Sequence, residues 1–166
     1  IRANISEERI RKGFYHFKGV NRRAELKGES KGIAIFDDYG HHPTEIFATL
    51  RAIKQAVGQR KLVVAFQPHR FTRTRDCLHE FGLAFDKADE LILTDIYAAG
   101  EAPIAGIESR TVLAKIHESS SLYASYVPRE KISEFLSQHL QPDNVLVTMG
   151  AGDITKVGPE VLQLLR

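Results

Sequence analysis

The chain has 166 residues, 43% hydrophobic and 27% charged, with a formal net charge of +2 at neutral pH. These values fit one globular domain with a little chain to spare and exclude a disordered chain, and no apolar run approaches the ~20 residues of a membrane span. So small a charge argues against a general nucleic-acid or membrane surface, which leaves locally placed arginines as the means of binding anions.

Residue 1 is isoleucine, and the only methionine is Met149. The chain is therefore expected to be part of something longer, and it shows no charged-then-apolar signal segment. Ser6 is placed to cap a helix running to about Phe17, with Ile10 and Phe14 on its apolar face and Gly19 closing it. That helix reads as the end of a preceding domain, and Arg22 to Lys27 as a linker or a first short strand. The apolar run Ile33 to Phe36 suits a strand buried on both faces, and Pro43, Thr44 and Glu45 suit a helix start. From there helix and strand alternate: a helix through Ile46, Leu50, Ile53 and Val57; a strand Leu62 to Phe66; a helix through Leu78, Phe81 and Phe85; a strand Leu91 to Leu93; a helix through Val112, Leu113 and Ile116. After a polar link from Glu118 to Ser121 come a strand Tyr123 to Val127, a helix through Ile132, Phe135, Leu136 and Leu140, a strand Val145 to Met149, and a helix through Val157, Val161 and Leu165. This alternation predicts an α/β fold, a doubly wound and mostly parallel sheet with helices on both faces. Cys77 is the single cysteine, which excludes an internal disulfide and fits a reducing cytoplasm. In its apolar helical setting it reads as a semi-buried packing residue rather than a nucleophile.

Two strand ends carry the candidate chemistry, because open α/β sheets bind ligands beyond the carboxyl ends of their strands. Asp37-Asp38-Tyr39-Gly40-His41-His42-Pro43 ends the first buried strand, and this turn is expected to expose Asp38, Tyr39 and His41 together. The alternative is an ordinary polar turn, with His42 standing in as the cap of the next helix and the aspartates solvated. His69-Arg70-Phe71-Thr72-Arg73-Thr74-Arg75 follows the next strand and places three arginines and a histidine at the same edge, a fork-rich anion site. Arg70 and Arg75 read equally well as a solvated helix face. His41, His42 and His69 have no partners at metal-ligand spacing, so a metal site is not expected of them. Free imidazole titrates near pH 6.5, so a histidine here suits a site where an ammonium must become an amine, and His41 is a candidate base or orienting group. Gly150-Ala151-Gly152-Asp153 follows the last strand; it is compatible with close approach to an anion, or with a tight turn capped by Asp153. The chain contains no G-x-x-x-x-G-K-[ST] phosphate loop.

The string DDYGHHPTE (Asp37 to Glu45) resembles the Asp-Tyr-Ala/Gly-His-x-Pro motif of the Mur ligase family. FKGVNRRAELKG (Phe17 to Gly28), FQPHRFTRTRD (Phe66 to Asp76), LTDIYAAGEAPIAGI (Leu93 to Ile107) and MGAGDI (Met149 to Ile154) are similar to family segments in the same order, especially those of members that add L-alanine. The resemblance implies a division at residues 1–18, the end of a central ATPase domain, and 19–166, the family's C-terminal domain. It also implies ATP-dependent amide formation between UDP-N-acetylmuramate and L-alanine in the cytoplasm. ATP with Mg²⁺ phosphorylates the sugar carboxylate, and the alanine amine then attacks the acyl phosphate. Both ATP and Mg²⁺ would be held mainly by the central domain, so the chain alone would be inactive. Among the residues here, Arg23 would approach the nucleotide phosphates and Asp38 the ribose, while Tyr39, His41, His69 and Arg73 match positions associated with L-alanine. Two rival readings remain: a family ligase that attaches a recycled peptide to the same sugar, and a non-catalytic nucleotide-binding module.

Overall fold

A computed structural model describes residues 5–16 and 20–166. Helix α1 spans Glu7–His16, and the Ser6 hydroxyl accepts from the Arg9 amide at 3.4 Å, as the capping role requires. Ile10 is 45% exposed, so it does not supply the buried face expected of it. The side chain of Phe14, and Phe17 and Gly19 with it, lie outside the described residues.

Six strands form one sheet in the order β1-β2-β6-β3-β4-β5: β1 Glu25–Ser30, β2 Ile33–Asp38, β3 Leu62–Phe66, β4 Glu90–Leu93, β5 Tyr123–Tyr126 and β6 Val145–Met149. Five of them run parallel. The exception is β1, which pairs antiparallel with β2 on the edge, so the segment read as a linker or short strand resolves into a strand three residues further on. Every residue of β3 and β6 is buried, because these strands lie mid-sheet under helices on both faces.

Helices α2 (Pro43–Val57), α4 (Leu78–Ala84) and α5 (Ser109–Ser119) pack one face through Ile46, Leu50, Phe81, Val112 and Ile116. Phe66 sits between Phe81 and Phe85 at ring separations of 5.5 and 5.1 Å. Helices α6 (Ile132–His139) and α7 (Val157–Leu164) cover the other face with Ile132, Leu136, Val157 and Val161. Each of these fully buried side chains stabilises the fold by about 1.5–3 kcal/mol. The doubly wound architecture is therefore the one the alternation predicts.

Two boundaries differ from the sequence reading. The expected helix after β3 is two pieces, α3 (Phe71–Asp76) and α4, because Cys77 departs from helical geometry at φ −102°, ψ 13°. The break lets α3 turn its arginines along the sheet edge while α4 packs into the core. Helix α5 also runs through Glu118 and Ser119, which shortens the polar link to the two residues before Leu122.

Candidate functional site

The last residues of β2, β6 and β3 are in register, Asp38 beside Met149 and Met149 beside Phe66. The loops that follow therefore leave the sheet side by side. Helix α2 starts as its sequence dictates: Pro43 occupies the first turn, the His42 ring nitrogen accepts from the Thr44 amide, and Glu45 returns the bond to the His42 backbone.

Of the three groups expected to be exposed together in this turn, Asp38 is not. It is 1% exposed, with one carboxylate oxygen accepting from the Gly40 amide at 2.7 Å and the other from the Ala24 amide at 2.8 Å. Two charge-assisted bonds to backbone donors make burial of this carboxylate affordable. Asp37 is also buried, and it accepts from Arg22 Nε at 3.0 Å, Thr148 Oγ1 at 2.8 Å and Thr155 Oγ1 at 2.7 Å. Neither aspartate is solvated. Arg22 spends its remaining reach on the Gly150 carbonyl and lies 4.9 Å from the centre of the Tyr39 ring. Arg23, exposed and also over Tyr39 at 5.8 Å, forms no ion pair among the described residues.

The two site histidines carry their protons on opposite nitrogens. His41 Nδ1 lies 3.0 Å from the Tyr39 carbonyl, which only accepts, so that nitrogen donates and Nε2 of the neutral ring keeps a free lone pair. That is the tautomer a general base needs. His69 Nδ1 lies 3.3 Å from an Arg73 nitrogen, which only donates, so the neutral ring proton is on Nε2. Burial, then the neighbouring charges of His41, Arg73 and Arg70, push His69 down from its ordinary value, which favours the neutral ring.

Arg73 is half-buried and has no carboxylate partner among the described residues. It lines an open depression of about 310 Å³ with His42, Arg70, Thr72, Asp76 and Cys77. Arg75 is instead paired with Asp76 at 2.8 Å, and Arg70 is exposed at φ 66°, a strained value for a side-chain-bearing residue. Of the nearby carboxylates, Glu101 is taken up by the Thr72 amide and hydroxyl and Glu45 by the His41 and His42 amides. Burial and the charge of Glu80 push the Cys77 thiol up, as expected of a packing cysteine.

The glycine loop is a close-packed turn. A Cβ on Gly152 would come within 2.3 Å of Gln67 Oε1. Asp153 does not cap a helix; it opens a 3-10 turn, Asp153–Lys156, accepting from Gln67 Nε2 at 2.8 Å and pairing with Arg129 at 3.3 Å. Gln67, Asp37, Arg22, Thr155 and Tyr97 complete the edge and escaped the residue-by-residue sequence reading. All but Thr155 lie in the family-like segments, but their work is to hold other loops, which no local spacing displays. Among the described residues, no three of His, Cys, Asp and Glu gather as a metal-holding group. The side chains present do not fit a Mg²⁺ site of their own.

The carboxyl edge of this open α/β domain thus brings together two oriented histidines and an arginine with no carboxylate partner among the described residues, an arrangement chemically suited to a small anion. A family model described as Mur ligase, glutamate ligase domain, matches residues 22–152, and the chain belongs to the Mur ligase family. Its curated relatives include the UDP-N-acetylmuramate–L-alanine ligases of Protochlamydia amoebophila, 50% identical over 98% of this chain, and of Geobacter sp., 46% identical over 100%. The chain spans 36% of the length of each. Among solved structures, the UDP-N-acetylmuramate-alanine ligase of Thermotoga maritima is 26% identical, with a TM-score of 0.69 over 89% of this chain and 30% of that one. A murein peptide ligase of Psychrobacter arcticus shares the fold, with a TM-score of 0.74 at 22% identity over 90% of this chain and 31% of that one.

Proposed function

We propose that this chain is the C-terminal domain of a cytoplasmic UDP-N-acetylmuramate–L-alanine ligase and presents the amino acid to the reaction in peptidoglycan synthesis. The observation that carries the reading is Arg73, a guanidinium in an open depression with His69 at its side and no carboxylate partner among the described residues. Arg73 clamps the L-alanine carboxylate as a fork, and His69 Nε2–H supplies a further donor. His41 Nε2 is the acceptor for the ammonium, orienting it or taking its proton before attack on the activated sugar carboxylate. Tyr39 walls the site and holds the Arg22 and Arg23 guanidiniums over its ring.

Residues 1–18 belong to the end of a central ATPase domain and 19–166 to the C-terminal domain, a division supported by the start of the family match at residue 22. The central domain supplies the triphosphate grip for ATP and Mg²⁺, and the sugar nucleotide is held outside this chain. Domain closure brings the three substrates together, so catalysis here is positioning and charge stabilisation. The 166-residue chain alone is expected to release no ADP from ATP, L-alanine and UDP-N-acetylmuramate. The full-length protein should release ADP with L-alanine and not with a tripeptide in its place. Turnover by the chain alone would overturn the three-domain reading, and preference for the tripeptide would overturn the substrate.

For the nucleotide phosphates, Arg23 is the candidate, an exposed guanidinium with no ion pair among the described residues. Asp38 acts first by tying the Arg22 to Ala24 segment to the β2 end, and any ribose contact must use lone pairs left over from two backbone bonds. Asp38→Ala is therefore expected to lower the stability of the ligand-free chain by about 1–3 kcal/mol and to raise the ATP requirement of the full-length protein. Arg23→Ala should raise the ATP requirement alone. Urea denaturation paired with ATP titration separates the two, and unchanged ATP saturation in Arg23→Ala would remove that residue from the site.

A further inference from the structure

Four rings cross the carboxyl edge of the sheet in a row. Tyr39 meets His41 edge-on at 5.3 Å between centroids, His41 lies 5.3 Å from His69, and His69 stacks on Tyr97 at 5.8 Å with the planes 12° apart. The row ends on a ring that is fixed from behind. A Cβ on Gly152 would fall 2.6 Å from Tyr97 Cγ and 2.7 Å from its Cβ, so only a glycine lets the loop after β6 come this close. The Tyr97 backbone is clamped as well: its amide donates to the Pro68 carbonyl at 2.9 Å, its carbonyl accepts from the Arg70 amide at 2.8 Å, and it bridges His69 in parallel.

A histidine ring turns about a soft, roughly two-fold torsion, so a single edge contact leaves its plane free to tilt and Nδ1 free to swing off its partner. Arg73 holds only one edge of His69, through a 3.3 Å contact. The stacked face of Tyr97 supplies the plane that this single contact does not. The Tyr97 hydroxyl has no hydrogen-bond partner among the described residues, and the residue is 40% exposed, so the ring rather than the phenol does the holding.

We propose that Tyr97 is the positioning residue of the amino-acid site, its ring holding the His69 imidazole so that Nδ1 accepts from Arg73 and Nε2 keeps the proton. Fork and ring donor then converge on one carboxylate, which selects a small α-amino acid by its charged end. This rests on the reading of Arg73 and His69 as the carboxylate contacts.

The test compares Tyr97→Phe, Tyr97→Ala and Tyr97→Leu; the leucine keeps bulk against Gly152 without a planar face. Imidazole nitrogen-15 NMR on the ligand-free 166-residue chain reads the His69 tautomer and titration midpoint, and L-alanine titration of the full-length protein reads the site. Tyr97→Phe is expected to match the parent in both. The alanine and leucine variants should show mixed His69 tautomers and a midpoint raised toward about 6.5, because lost burial no longer disfavours the charged ring. They should also need roughly ten- to a hundredfold more L-alanine, with ATP saturation unchanged. An unaltered His69 tautomer in both variants overturns the proposal, as does an altered tautomer with an unaltered L-alanine requirement. Failure of the site reading itself would show separately, as an L-alanine requirement indifferent to Arg73→Lys.

Discussion

Replacing Arg73 by lysine in the full-length protein is expected to raise the L-alanine concentration for half-maximal turnover by about five- to a hundredfold, while the ATP and UDP-N-acetylmuramate requirements stay nearly unchanged. Lysine keeps the positive charge and discards the planar fork, and loss of a bidentate charge-assisted pair to a point charge costs about 1–3 kcal/mol. The geometry sharpens this expectation. Among the described residues Arg73 has no carboxylate partner and so no ion pair to lose, and the substitution should leave folding intact. It does give up the bond to His69 Nδ1, and a lysine ammonium reaching that nitrogen would keep the tautomer while leaving the carboxylate one donor short. Steady-state titration of each substrate decides the matter. Equal losses for all three substrates would mean damaged domain closure, and no loss for any would make Arg73 a surface residue.

The parts of this architecture that were legible in the sequence follow from local rules. Alternating apolar periods give the strands and helices, and Pro43 with Glu45 gives the start of α2. The fragments DDYGHHP and FQPHRFTR were readable as site because polar residues there follow directly on buried strands. What stayed illegible depends on partners distant in sequence. Asp37 and Asp38 are adjacent and chemically identical, and only the folded chain shows that one meets Arg22, Thr148 and Thr155 while the other meets two backbone amides. Spacing could not distinguish the arginines either. Among the described residues Arg22 pairs with Asp37 and Arg75 with its neighbour while Arg23 and Arg73 form no ion pair, because each outcome is set by which carboxylate the fold brings near. The break at Cys77 was hidden for the same reason: the helical period runs on through it, and the turn is imposed by α3 lying along the edge while α4 enters the core.

Asp37→Ala should be the most destabilising of the substitutions considered, although Asp37 belongs to none of the groups expected to touch substrate. Its side chain is 0% exposed, and its removal takes the ion-pair partner from the Arg22 guanidinium and the acceptor from the Thr155 hydroxyl, while the Thr148 hydroxyl keeps the Phe36 carbonyl. Breaking a buried pair from one side costs about 3–5 kcal/mol where the remaining charge stays desolvated without compensation. For a domain of this length, 1 kcal/mol corresponds to about 2–4 °C, which places the expected fall in Tm at roughly 6–20 °C by calorimetry. Arg22 retains the Gly150 carbonyl and the Tyr39 ring, which argues for the lower half of that range. The double variant Arg22→Ala with Asp37→Ala should recover part of the loss, because the uncompensated charge is gone; a double variant less stable than the sum of the singles would contradict the pairing. Because the same strut joins β1, β2 and the Gly150 loop, the surviving folded Asp37→Ala protein should also bind L-alanine more weakly. If Tm falls by less than about 2 °C, water has entered to solvate Arg22, and the Asp37 pair is not what fixes the site.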